Sequence, residues 1–222
     1  MEAYQISRAY TFIGYSIKVP EERDVRRDEG DRIAFFTFPP PAGIHGVPCE
    51  SLVDTDEFGI CMYDTQKRLA VSPIGQTPIL NMDTMPGSKL SVILSVTSEA
   101  VISYMITDLA GTSKETFFTY VDAFLLPTLA ASGYDDWVCL MDNLRAHKFE
   151  ATQQLFRDAD VELVFRPKYS PDMGFVETVI HLVKAYLRRH RAEITYDNLP
   201  YFVQQALQSV RGFRNLLRLT GY

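Results

Sequence analysis

Asp56, Asp142 and Glu177 are acidic residues placed where a fold could gather them. Asp56 closes the stretch SLVDTD and is followed by Glu57. Asp142 closes the apolar run VCLMD and is followed by Asn143, and Glu177 falls in the first turns of a helix opened by SPDM. A carboxylate just past a buried strand stands at the sheet edge, where α/β folds place ligands. If the first and fourth strands are neighbours, Asp56 and Asp142 lie side by side. Two carboxylates that close raise each other's pKa unless a cation neutralises them. Oxygen-only ligands suit Mg²⁺ or Mn²⁺ better than zinc. Each acid alone also reads as a turn former or helix cap. Asp54, two residues before Asp56 and on the same face of a strand, is an alternative first ligand.

The helix carrying Glu177 adds a direction. Val176, Val179, Ile180, Val183 and Leu187 form its buried stripe. At about 100° per residue, Glu177, His181, Lys184 and Arg188 share another stripe, with Arg191 nearby. A metal site continuing into a phosphate track needs a carboxylate followed by a line of cations. An amphipathic helix with a salt-bridged outer face gives the same pattern.

The elements that must position these residues are legible as a mixed α/β chain. Residues 1–48 read as an arm, with a mixed-charge run from Glu21 to Arg32 and then FPPPAG at 38–43, whose prolines forbid a continuing helix. Strands are expected at Ser51–Asp56, Leu90–Val96 and Val101–Thr107, the last two joined at Ser98-Glu99 as a hairpin. Ser113 opens a helix that Pro127 bends or ends. Trp137–Met141 reads as a central strand covered on both faces. A helix at Phe149–Phe156, a strand at Val161–Phe165 and helices at 174–191 and 197–217 complete the chain. Strands that pair antiparallel in front and parallel behind fit one α/β domain over 49–222.

Composition agrees with a globular chain. It has 222 residues, 46% hydrophobic and 23% charged, and no apolar run long enough to span a membrane. The N-terminus lacks a basic stretch leading into an apolar one, so no secretory signal is expected. Three cysteines without a C-x-x-C pair read as free thiols. The net charge of −6 divides unevenly. The chain through Leu144 carries 10 basic and 20 acidic residues, and the remainder 12 basic and 8 acidic. A basic rear beside an acidic front suits a protein that holds phosphates on one surface and cations on another. No G-x-S-x-G elbow, P-loop or G-x-G-x-x-G is present, which argues against a serine hydrolase or a nucleotide-binding enzyme.

Taken together, Met141-Asp142-Asn143-Leu144-Arg145-Ala146-His147-Lys148, Tyr169-Ser170-Pro171-Asp172 and Glu177 resemble the DDE-type transposases of the mariner superfamily. That family carries an Asp-Asn, three residues, then His motif after the fourth strand, and a Ser-Pro-Asp-Leu-Asn-Pro-Ile-Glu motif holding the last acid. The 34 residues between Asp142 and Glu177 match one large branch. Asp56-Glu57-Phe58-Gly59-Ile60 is similar to its first motif, and Lys67 to Gly75 to its Arg-Arg-x-Gly-aromatic-x-Pro-x-Gly turn. Gly174-Phe175 replaces the usual Asn-Pro, Ile180 stands where Trp is common, and Ala70-Val71 replaces Gly and an aromatic. No two-helix pattern is evident in residues 1–48, an N-terminal arm or a remnant interdomain linker, so a catalytic core without a helix-turn-helix reader is expected.

The resemblance implies a ribonuclease-H-like fold, a five-stranded sheet of order 3-2-1-4-5 flanked by helices. It implies metal-dependent DNA strand cleavage and transfer with Asp56, Asp142 and Glu177 as catalytic residues and ligands to two Mg²⁺ or Mn²⁺ ions. Asn143 or His147 would orient a ligand or the scissile phosphate, although His147 could also be a loop residue satisfied by water. Lys184, Arg188 and Arg191 would contact phosphates, with Arg145 and Lys148 as weaker candidates. The implied partner is double-stranded DNA, with a homodimer left open and neither a membrane nor a small-molecule substrate. The location would be the nucleus in a eukaryotic host and the cytoplasm otherwise. Two alternatives remain: a domesticated or decayed derivative acting as an inactive nucleic-acid-binding or interaction module, and another ribonuclease-H-like nuclease.

Overall fold

The computed structural model describes residues 25–65, 73–76, 89–108 and 111–212. The first strand, β1 (Leu52–Ile60), runs antiparallel to β2 (Leu90–Val96), which pairs antiparallel with β3 (Val101–Thr107). On the other side of β1 lies β4 (Val138–Met141) in parallel, followed by β5 (Glu162–Phe165), also parallel. The order is therefore β3-β2-β1-β4-β5, as the sequence resemblance implied.

β1 is longer than expected, and Asp56 lies within it rather than at its end. β2 supports β1 over its whole rear part, from Asp54↔Val96 to Ile60↔Leu90, whereas pairing with β4 ends at Asp54↔Leu140. Asp56 therefore stands at an edge because its parallel neighbour stops. Two more steps in the same register place Asp142 beside it.

Helices cover both faces of the sheet, and strand alternation assigns each residue to one of them. Leu52, Phe58, Ile60, Val92, Leu94, Leu140 and Val164 pack against α5 (Phe175–Arg189) and α6 (Leu199–Ser209). Val53, Ile93, Cys139 and Met141 pack against α2 (Lys114–Tyr120), its extension, and α4 (Glu150–Asp158). The first helix, α1 (Glu29–Thr37), starts at Asp28, whose carboxylate accepts the Gly30 and Asp31 N–H groups. Within the segment read as an arm, Phe35 and Ile44 are buried in the core beneath α5 and α6.

Ser113 caps α2 by accepting the Thr116 N–H at 3.1 Å. Pro127 does not end the helix. The chain widens into a π-helical turn at Val121–Leu125 and continues as α3 (Leu126–Ala131), with Pro127 in its first turn, where a missing N–H costs least. The last helix is shorter than the expected 197–217. It stops at Ser209 because the chain turns to pair with the β2–β3 connection, Arg211 opposite Ala100 and the Gly212 N–H on Glu99 O at 2.8 Å. Of the motif from Lys67 to Gly75, residues 67–72 lie outside the described residues, as do residues 1–24 and 213–222. Among the described residues no helix is long and apolar enough to cross a membrane.

Candidate active site

β1, β4 and α5 bring Asp56, Asp142 and Glu177 around a single cleft of about 750 Å³. Glu57, Asn143, Arg145, Lys148, Arg166 and Lys168 also line it. The three acids come from segments far apart in sequence, and each is delivered by a different local device.

Asp56 is delivered by the stretch of β1 that pairs with β2 alone. Its Oδ1 accepts the Glu57 N–H at 2.8 Å, and its Oδ2 lies 3.4 Å from Arg166 Nη2. Burial pushes its pKa up to about 7; Arg166 works against the rise, while Asp54 and Asp142 add to it. Such a carboxyl keeps its charge at neutral pH only with help from a cation.

Asp142 follows β4 and is held by His147. Nδ1 of that ring lies 2.6 Å from Asp142 Oδ1, and Nε2 lies 2.9 Å from Glu57 Oε2. The ring is fully buried, 4.3 Å from the Phe117 ring between centroids. His147 is thus neither a loop residue satisfied by water nor a wall of the cleft; it ties the two acids together from behind. Burial opposes the charged imidazole, but the hydrogen bonds to Asp142 and Glu57 prevail and raise its pKa to about 10. The same contact outweighs burial at Asp142, whose pKa shifts downward.

Glu177 sits in the first turn of α5 with its side chain exposed, and among the described residues no side chain pairs with it. The loop leading to it is pinned. Tyr169 adopts a left-handed conformation (φ 55°), with the Arg26 guanidinium 4.0 Å over its ring. Asp172 accepts two hydrogen bonds from Arg32, at 3.0 and 2.8 Å, and Arg27 lies 3.5 Å away. Burial raises the Asp172 pKa but the Arg32 pair more than offsets it, leaving a net lowering. Stability from this pair is therefore present above the ordinary aspartate pKa of about 3.9 and is lost as pH falls through the lowered value. The expected result is a melting temperature a few degrees lower for Asp172→Asn than for wild type at pH 7, since the pair is half exposed. The gap should close in acid; a gap that widens as pH falls would contradict it.

Asp54 has a different task from Asp56. It is fully buried, pairs with Arg166 Nη1, and accepts the Val176 N–H at 3.0 Å, so it caps the N-terminus of α5 from a neighbouring strand. Burial raises its pKa to about 6, with Arg166 opposing. It is absent from the cleft lining, which leaves Asp56 as the member of the pair that reaches the cleft.

Asn143 is in the lining, with Nδ2 3.4 Å from Arg166 O and a buried Oδ1 that has no hydrogen-bond partner among the described residues. Lys184, Arg188 and Arg191 are not among the lining residues, and Arg191 Nη1 instead donates to Ile194 O at 3.3 Å. The cations at the cleft are Arg145, Lys148, Arg166 and Lys168. Arg166 and Lys168 escaped sequence reasoning. A signal for Arg166 existed: it stands one residue past β5 as Asp142 stands one past β4.

The oxygen donors among the lining residues are the carboxylates of Asp56, Glu57, Asp142 and Glu177 and the Asn143 amide, the set that hard divalent cations prefer. Among the described residues no three His, Cys, Asp or Glu side chains are arranged as a ready-made metal cage. Two protein cations, Arg166 and His147, partly neutralise the acids instead. The donor chemistry fits a divalent ion.

A family model described as DDE superfamily endonuclease matches residues 51–200. A comparison with curated proteins finds no match. Among solved structures, the chain is similar to the Mos1 mariner paired end complex with Mn (TM-score 0.71, 15% identity, covering 98% of this chain and 67% of that one). It is also similar to the Mos1 transposase paired-end complex with the left transposon end (TM-score 0.67, 14% identity, 98% and 66%). The catalytic domain of Mos1 mariner transposase matches with a TM-score of 0.59 at 14% identity, covering 91% of each chain. At these identities the likeness is one of fold. The chain spans about two thirds of the length of the Mos1 chains in the paired-end complexes.

Proposed function

This chain belongs to the DDE superfamily of endonucleases, and from that premise we propose that it cleaves and joins DNA strands as the catalytic core of a mariner-type transposase. The observation that carries the reading is the convergence of Asp56, Asp142 and Glu177, from β1, β4 and α5, on a cleft whose other walls hold Arg145, Lys148 and Lys168.

Asp56, Asp142 and Glu177 would hold two Mg²⁺ or Mn²⁺ ions, with Asn143 Oδ1 as a further donor. Metal bound there would activate the attacking water or 3′-hydroxyl and stabilise the leaving oxygen of a phosphodiester. The chain's own contribution is placement. His147 keeps Asp142 ionised and aimed, and the register of β1 on β4 sets the spacing of the two aspartates. The Arg32–Asp172 pair fixes the loop ahead of Glu177. Arg145, Lys148 and Lys168 would draw in the phosphates of duplex DNA, and Lys184, Arg188 and Arg191 would extend that contact along α5 and just beyond it. The Mn and the transposon end named for the Mos1 structures support this assignment of ligand and substrate.

The test is a thermal-melt titration with Mn²⁺, since an ion that binds only the native state raises the melting point by mass action. Wild type should rise, and Asp56→Asn, Asp142→Asn and Glu177→Gln should rise less or not at all. Before metal is added, Asp56→Asn should melt no lower than wild type, because it removes a charge that burial disfavours. A rise of equal size in all four proteins would refute the assignment.

A second reading, a domesticated or decayed core acting as an inactive nucleic-acid-binding module, is favoured by one observation: Arg166 already supplies Asp56 with a cation. It expects DNA binding without any rise on Mn²⁺ addition.

A further inference from the structure

Arg166 is a buried cation in the wall of a cleft whose acids otherwise call for a metal. Its side chain is 3% exposed, and its backbone N–H is fixed on Met141 O at 2.8 Å. Nη1 is committed to Asp54, whose second oxygen is occupied by the Val176 N–H. Nη2 reaches Asp56 Oδ2 at 3.4 Å, long for a charge-assisted hydrogen bond. The guanidinium also depends on a missing side chain. A Cβ at Gly174 would stand 2.9 Å from Nη1 and 3.1 Å from Cζ. Any side chain at position 174 would therefore press on the guanidinium, and glycine leaves it room. An arginine cannot shed its proton, so this positive charge is permanent.

Resting on the reading of Asp56 as a metal ligand, we propose that Arg166 is a resident counter-cation of the site. It holds Asp56 in place before metal arrives, and it sets the affinity for the divalent ion, which must take Asp56 over from Nη2. The two contacts divide the work. The Asp54 contact anchors the guanidinium and stays in place. The long Asp56 contact is the one that yields. A fixed positive charge within a few ångströms of a divalent ion weakens its binding, and more so in a buried setting. This chain therefore loads Mn²⁺ more weakly than its acids alone would, and phosphates entering the cleft, by offsetting the Arg166 charge, would tighten loading.

The experiment is calorimetric titration of Mn²⁺ into chelator-stripped wild type, Arg166→Met, Arg166→Gln, Arg166→Lys and Asp142→Asn. Arg166→Gln keeps a donor for Asp54 in case Arg166→Met does not fold, and circular dichroism checks each protein. The neutral variants should melt lower without metal yet bind Mn²⁺ about tenfold more tightly or better. Structural damage would weaken binding, not tighten it. Arg166→Lys, which restores the charge, should return the affinity to near wild type. Equal or weaker binding by the neutral variants, with binding lost in Asp142→Asn, would overturn this inference and leave the site assignment standing. If no protein in the set binds Mn²⁺, or if Asp142→Asn binds as wild type does, the site assignment falls and this inference with it.

Discussion

Asp142→Asn is expected to lower metal-dependent nicking of duplex DNA by about 10³-fold or more while leaving the protein folded. Metal catalysis of phosphoryl transfer stabilises the transition state by several kcal/mol, and each 1.36 kcal/mol is about tenfold in rate. An amide in place of the carboxylate keeps a neutral oxygen but removes the charge that would hold the ion. Folding should survive because the amide oxygen can still accept from the His147 ring and from the Leu144 N–H, now at 2.6 and 3.1 Å from Asp142 Oδ1. The side chain is also 35% exposed, so no large cavity or unpaired buried charge is created there. The measurement is single-turnover cleavage of a labelled duplex with Mn²⁺, with circular dichroism alongside. A loss smaller than tenfold in a folded variant would place the chemistry elsewhere.

Asp54→Ala should have the opposite profile: a large loss of stability at a residue outside the cleft. The substitution takes the Asp54 carboxylate from the buried Arg166 guanidinium, which keeps the long Asp56 contact, and leaves the Val176 N–H at the start of α5 without its acceptor. Breaking one side of a buried ion pair costs about 3–5 kcal/mol. For a domain of this size that corresponds to a fall of about 6–20 °C in melting temperature. Asp54→Asn should cost less, because its amide oxygen can still accept from Val176. Urea denaturation in a chelator, which keeps metal from contributing, reads the difference. A cost below about 1 kcal/mol for the alanine variant would mean that the pair with Arg166 contributes little in solution.

These two aspartates show how far the amino-acid order reaches. Asp54 and Asp56 share a strand face and are alike in sequence terms, since both follow from the same alternation. Only packing separates them. α5 and Arg166 close over Asp54, whereas β4 ends before reaching Asp56. The same holds for His147, whose spacing after Asp142 was visible but whose burial between Phe117 and two acids was not. Arg145 and Lys148 read as weaker candidates than Lys184, Arg188 and Arg191, yet they line the cleft and those three do not. Helical periodicity fixes which residues share a stripe, and the neighbours decide what that stripe faces.

What the amino-acid order determined by itself is the five strands, the helices from Ser113 onward, their α/β class, and the candidacy of Asp56, Asp142 and Glu177. The elements follow from local rules, alternation in strands and a 3.6-residue repeat in helices, and the candidate acids from their places near the ends of strands and the start of a helix. What only the tertiary structure decided is which charges meet. Arg166 and Asp54 are 112 residues apart, and Arg32 and Asp172 are 140 apart. Such contacts arise from sheet order and helix packing, and no local pattern encodes them. The cation balance of the cleft is set by these long-range meetings, because a charge acts through the distance and burial of its partner rather than through its position in the chain.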